Sequence, residues 1–166
     1  MGTKDFNALD LFICRWRVRQ LRAHIAAGDK VLDFGCGHQA LFLRSIQGLI
    51  GYGIGVDYDA APSQPAPNLE IRNFHFRNRF EFPDQTFDRV TILAVLEHIP
   101  LDQVGTLFGE FSRILKDGGS VLLTTPTPAS KPLLEFLAFR LKLISGPEIA
   151  DHKHYWSRVD VERLAA

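Results

Sequence analysis

The sequence predicts an α/β fold built as a doubly wound, mostly parallel sheet. Short β-rich runs alternate with helix-like stretches, and the first, fourth and fifth runs are apolar over several residues, as burial on both faces of a parallel sheet requires. The first run also leads straight into a glycine turn, the usual start of a ligand crevice in such sheets. With 166 residues, 46% apolar and 23% charged, the chain holds enough apolar mass for one core, so a disordered or divided chain is excluded.

From about Asp5 to Ala27, apolar residues at Leu9, Phe12, Ile13, Trp16, Val18, Leu21 and Ile25 keep a helical period, and Gly28 is placed to stop the helix. Five strands follow: KVLDF (30–34), YGIGV (52–56), LEIRNFHF (69–76), FDRVTILAV (87–95) and SVLLTTP (120–126). Helices are expected at about Ala40–Leu49 and Asp102–Leu115, the second stopped by Lys116-Asp117-Gly118-Gly119. The stretch 61–68 carries Pro62, Pro65 and Pro67; each removes a backbone donor, so a loop is expected where a helix would otherwise link strands two and three. Ser157 with Asp160 reads as a capping box that opens a final helix. The single domain divides into a leading helix (1–28), a binding core (29–126) and a helical lid or dimer segment (127–166).

Lys and Arg number 19, as do Asp and Glu, so the global basic field that drives non-specific nucleic-acid binding is missing. Cys14 and Cys36 fit neither a disulfide framework nor a zinc spacing, which points to a reducing, cytoplasmic setting. No apolar run reaches the roughly 20 residues of a spanning helix. Arg15, Arg19 and Arg22 nonetheless form a local stripe, read as a solvated face or as a contact for an anionic acceptor, a membrane surface or RNA. The segment 132–146, apolar around most of a helix, is expected to act as a lid, a dimer surface or a peripheral membrane contact. His152 and His154 lack the partners of a metal site, and no metal is expected.

The sharpest constellation is VLDFGCGHQA (31–40). A buried strand delivers the chain into Gly35-Cys36-Gly37, where the absence of Cβ atoms permits positive φ and close approach of a ligand. Asp57 stands at the end of the second strand, twenty residues after Gly37, where a carboxylate can accept hydrogen bonds from ribose hydroxyls; the structural alternative is a helix cap. Taken as G-x-G-x-x-A, the turn also fits a dinucleotide-binding oxidoreductase. Asp33, just before the glycines, opposes that reading, because it repels a pyrophosphate and welcomes a ligand ammonium. Glu97-His98 follows the fourth strand at the crevice mouth, and His98 is either a general base toward an acceptor or a structural residue.

Four ordered segments, VLDFGCG, GIGVDYD, FEFPDQTFDRVTILAVLEHI and FSRILKDGGSVLLTTP, resemble the motifs of class I S-adenosylmethionine-dependent methyltransferases, in particular the type 11 or UbiE-like group. The resemblance covers about residues 28–126 and implies a Rossmann-like fold. It implies that Asp33 and the backbone of Phe34, Gly35, Cys36 and Gly37 hold the methionyl part of S-adenosylmethionine, with S-adenosylhomocysteine as product. Asp57 and Tyr58 would then flank the ribose; Phe76, Arg77 and Asn78 would meet the adenine, with Phe76 stacking on it in place of the acid the family often has there; and Leu93 would line the crevice. Gln39 stands where the family commonly has a third small residue, and only one helical signal follows strand five, so the family's terminal antiparallel pair is expected to be absent. The bare fifth strand would then be covered by 132–146 or by a second copy in a homodimer. The function expected is methyl transfer to a small or lipid-linked acceptor. The alternatives are a truncated binding or scaffolding domain without turnover, and an NAD-dependent oxidoreductase.

Overall fold

The computed structural model describes residues 15–16, 18–126, 155–157 and 159–160. Residues 18–22 are helical, ahead of the expected stop at Gly28. The elements after them are β1 (Lys30–Phe34), α1 (Leu41–Ile46), β2 (Tyr52–Asp57), β3 (Ser63–Ala66), β4 (Leu69–Asn73), β5 (Phe87–Leu93), a 3-10 turn (Leu96–His98), α2 (Leu101–Ile114) and β6 (Leu115–Thr124). The six strands lie in the order β3-β4-β2-β1-β5-β6, parallel throughout except for β3, which runs antiparallel to β4. The predicted α/β, Rossmann-like sheet is therefore present.

Side chains alternate across the sheet with the period of a strand. Along β1, Leu32 and Phe34 enter a core shared with Val104, Leu107, Phe111 and Ile114 of α2, while Val31 enters the opposite core with Leu43 and Ile46 of α1. The α2 residues recur on one helical stripe, which is why the segment folds as a helix against the sheet. Trp156 is buried in the α2-side core, so the chain returns to the sheet near its end. Ser157 Oγ meets Asp160 Oδ2 at 2.5 Å and the Asp160 amide donates to Ser157 Oγ at 3.3 Å, which is the expected capping box.

Three boundaries differ from expectation. The proline stretch contains β3, because proline excludes a helix interior but is tolerated on an edge strand; the Asn68 amide, donating to the carbonyls of Gln47 and Ile50, fixes the turn that pairs β3 with β4. β4 ends at Asn73 and the following Phe74 and Phe76 leave the sheet for the aromatic cluster. β6 begins at Leu115, the Gly-Gly stretch forming a register break inside it: Phe87 pairs with Leu115, but Arg89 pairs with Ser120. Among the described residues β6 is an edge of the sheet, and the 132–146 segment expected to cover it lies outside them, as do Cys14, His152 and His154. No helix among the described residues is long and apolar enough to cross a membrane.

Candidate cofactor site

β1 sits between β2 and β5, and the chain leaves it toward β2 before crossing back to β5. The connections diverge there, so a crevice opens at the carboxyl ends of these strands. The loop after β1 occupies it. Gly35 and Gly37 have φ of 77° and 68°, in the left-handed region that glycine alone enters freely. The Gly35 and Cys36 amides donate to the Val56 carbonyl at 2.8 and 3.2 Å, seating the loop on β2. Ala40, at the start of α1, and Ala94, at the end of β5, hold φ of 45° and 57°, so the backbone on both sides of the crevice is strained.

Asp57 ties this loop from the neighbouring strand. Its Oδ2 accepts from the Gly37 amide at 3.0 Å, and its Oδ1 accepts from the Asp59 amide at 2.9 Å. A carboxylate offers about four acceptor positions, so capacity for ribose hydroxyls remains. Asp59 is paired, 3.2 Å from His38 Nε2, whereas Asp57 has no ion pair among the described residues.

Asp33 is 2% exposed. Thr91 donates to its Oδ1 at 2.6 Å. Burial pushes the carboxyl up to about 7; the Thr91 hydrogen bond works against that rise, and the negative Asp57 adds to it. Burial also pushes the Cys36 thiol up, as do Asp33 and Asp57, so it is held as a neutral thiol. These carboxylates make the crevice a cation-seeking place. The opposite edge differs: at the amino ends of the strands Asp29 pairs with Arg89, and Asp88 with Lys116.

The predicted residues divide by orientation. A Cβ at Gly37 would meet nothing within 4 Å, so the space above it is open to a ligand. One at Gly35 would strike the Val95 side chain, so that glycine is required by the β5 turn packed over it. Phe34 faces the core, edge-on to Phe76, Phe80 and Phe111, and can offer the crevice only its backbone. The Cys36 sulfur turns to β2, where it would stand 2.7 Å from a Cβ on Gly55. Tyr58 is 54% exposed beside Asp57. Phe76 is half-buried and packs on Phe34 and Phe80, so part of its ring is already covered; Arg77 and Asn78 are exposed in the bend after it. Leu93 is half-buried at the end of β5. His98 closes the 3-10 turn, its amide bonded to the Val95 carbonyl, and Val95 in turn covers Gly35. The turn is thus seated on the glycine loop.

Sequence reasoning missed Thr91, Asn73 and Val95. Asn73 stands opposite Asp57 in the β2–β4 register, and its amide donates to the carbonyls of Tyr58 and Ala60, fixing the chain beyond Asp57. Glu97 is buried and accepts from Thr125 Oγ1 at 3.2 Å, bridging the ends of β5 and β6.

The profile of a family described as a methyltransferase domain matches residues 8–166. A "Probable S-adenosylmethionine-dependent methyltransferase" of Mycolicibacterium smegmatis is 34% identical over 113 residues, covering 66% of this chain and 42% of the relative. A ubiquinone biosynthesis O-methyltransferase of Pseudomonas syringae pv. tomato is 33% identical over 113 residues, covering 63% of this chain and 47% of the relative. The chain thus spans less than half the length of these two relatives. Among solved structures, the YcgJ protein of Bacillus subtilis has the same fold at a TM-score of 0.66 and 20% identity, over 90% of this chain and 66% of that one. A SAM dependent methyltransferase from Archaeoglobus fulgidus gives 0.65 at 18% identity, over 96% and 72%. With nearly the whole sequence inside the family's bounds, the chain belongs to the methyltransferase-domain family, the class I S-adenosylmethionine-dependent methyltransferases.

Proposed function

We propose that this chain binds S-adenosylmethionine on the Gly35–Gly37 loop and serves the transfer of its methyl group to a small or lipid-linked acceptor, leaving S-adenosylhomocysteine. The observation that carries the reading is a pair of carboxylates, Asp33 and Asp57, flanking a positive-φ glycine loop with no cation of this chain paired to them among the described residues. The residues fit the ligand. The space above Gly37 is open, Asp57 keeps acceptor capacity for ribose hydroxyls, and Asp33 offers a buried negative charge to a ligand ammonium. That charge disfavours a pyrophosphate, which sets the NAD reading aside.

When bound, the cofactor supplies a sulfonium-activated methyl group, so positioning of the two reactants carries much of the catalysis. The protein's contribution is a loop locked by Asp57, covered by Val95 and rigid through its bonds to Val56. The likeness to a ubiquinone biosynthesis O-methyltransferase supports an acceptor oxygen on a ubiquinone-type, lipid-linked compound. His98, on the turn seated over the loop, would take the proton of that hydroxyl. A cytoplasmic setting and a homodimer across the β6 edge belong to the same proposal; a monomer mass in light scattering removes the dimer.

The test is methyl release from labelled S-adenosylmethionine with hydroxylated quinone precursors, in wild type and His98→Ala. Turnover by wild type, and a variant about 10²-fold slower with unchanged cofactor affinity, supports the reading. Cofactor binding without turnover on any acceptor leaves a binding domain; tight NAD binding without S-adenosylmethionine binding overturns the cofactor.

A further inference from the structure

β5 is apolar along its buried middle except at one position. Thr91 lies between Val90 and Ile92, fully buried, and the parallel register sets it opposite Asp33 of β1. Its Oγ1 is 2.6 Å from Asp33 Oδ1 and 3.3 Å from the Leu32 carbonyl. A hydroxyl has one proton to give, and the shorter contact to a charged acceptor takes it. Because threonine is branched at Cβ, few χ1 positions are open to it and the hydroxyl is held where the strand puts it. Among the described residues this is the only hydrogen bond to the Asp33 side chain, and it leaves Oδ2 uncommitted.

We propose that Thr91 is a positioning residue of the cofactor site: its hydroxyl, donating to Oδ1, fixes the orientation of the buried Asp33 carboxyl and favours the carboxylate over the acid, so that Oδ2 is presented to the cationic end of the ligand. The inference rests on the role given to Asp33 above. Thr91 itself touches no ligand and acts through Asp33.

The electrostatics agree with the geometry. The titratable groups facing Asp33 are Asp57 from β2, which opposes its ionisation, and Cys36 from the loop, which burial keeps neutral. Among the described residues, Thr91 from β5 is the one partner that favours the charge. When Asp33 takes a proton, its own O–H can donate to Thr91 Oγ1, and the Thr91 proton turns to the Leu32 carbonyl. The same pair of residues thus has a hydrogen-bonded arrangement for each charge state, and the ligand's cation selects the ionised one.

Valine has the shape of threonine without the hydroxyl, and serine keeps the hydroxyl without the methyl. S-adenosylhomocysteine is titrated calorimetrically into wild type, Thr91→Val, Thr91→Ser and Asp33→Asn between about pH 5.5 and 9, and the Asp33 carboxyl is followed by carbon NMR without ligand. Thr91→Val should bind about ten- to a hundredfold more weakly at pH 7, the loss expected for a hydrogen bond to a charged group. Its Asp33 titration should move to higher pH, and Thr91→Ser should stay near wild type in both readouts. If Thr91→Val keeps wild-type affinity and titration while Asp33→Asn loses binding, Thr91 is only core filling and the proposal fails. If Thr91→Val does not fold, a Thr91→Ser protein whose Asp33 titration departs from wild type overturns it as well, and one that matches supports it. Unchanged binding in Asp33→Asn defeats the Asp33 assignment itself, a separate outcome.

Discussion

Asp33, which the proposed function sets against the ligand's cation, carries a cost through its burial. The folded protein holds its proton up to about pH 7, whereas the unfolded chain releases it near the ordinary value of 3.8. Between those pH values the native state binds more protons than the unfolded state, so this residue's contribution to stability falls as pH rises from about 4 to 7 and is flat above. Asp33→Asn keeps the shape and still accepts from Thr91. It should therefore unfold at higher urea than wild type at pH 8, by roughly 2–4 kcal/mol, and differ little at pH 4. Loss of S-adenosylhomocysteine binding should accompany that gain, a common trade between stability and function. Asp57→Ala should weaken the same ligand by about 1.5–3 kcal/mol, and it should also loosen the loop, because the Gly37 and Asp59 amides lose their acceptor. Faster amide exchange at Gly37 in the variant checks the second effect. Asp33, Gly35, Gly37 and Asp57 were legible in the sequence because each is an exception in its surroundings, an acid or a glycine at the end of an apolar run. Strand parity, which sends Phe34 to the α2-side core and Asp33 to the other face of the sheet, is legible there too. Thr91 escaped because its meaning depends on the β1–β5 register, which no single strand encodes.

At the scale of elements, the stretch from Phe74 to Thr86 has little regular structure and is held instead by α2. Arg113 donates to the carbonyls of Phe80 and Phe82 and pairs with Asp84 and Glu110, while Glu110 accepts from the Phe80 amide. The hydrogen bonds from Arg113 lower the Glu110 carboxyl from its ordinary value. The rings of Phe74, Phe82 and Phe111 stack about Phe80, which is fully buried. Arg113→Ala leaves two carboxylates and two carbonyls without their cation and should cost about 3 kcal/mol in urea unfolding. An unchanged midpoint would show that the aromatic stack alone holds the stretch. The sequence indicated β1, β2, β5 and α2 because apolar runs and a helical stripe identify them directly. It did not indicate β3, since prolines exclude a helix without distinguishing a loop from an edge strand. The early start of β6 was hidden because a Gly-Gly turn and a register break look alike before pairing is known.

Across the whole molecule, charge is arranged by sheet end. Ion pairs brace the amino ends of the strands, while the carboxyl ends hold Asp33 and Asp57 without cations among the described residues. On the proposed function, a ligand that brings positive charge balances these carboxylates, and its stabilisation should depend on pH. At a hundredfold excess over its dissociation constant, S-adenosylhomocysteine should add about 2.7 kcal/mol to stability. At one fixed ligand concentration the rise in Tm should be larger at pH 8 than at pH 6, because Asp33 is ionised at the higher pH. An equal rise at both would separate the ligand from that carboxylate. A crystal structure grown with S-adenosylhomocysteine decides where the ligand lies. Density should run along the Gly35–Gly37 loop, with the ribose hydroxyls in hydrogen-bond reach of Asp57 and the ammonium beside Asp33. Ligand density away from that loop, with both carboxylates untouched, would contradict the cofactor site described for this chain.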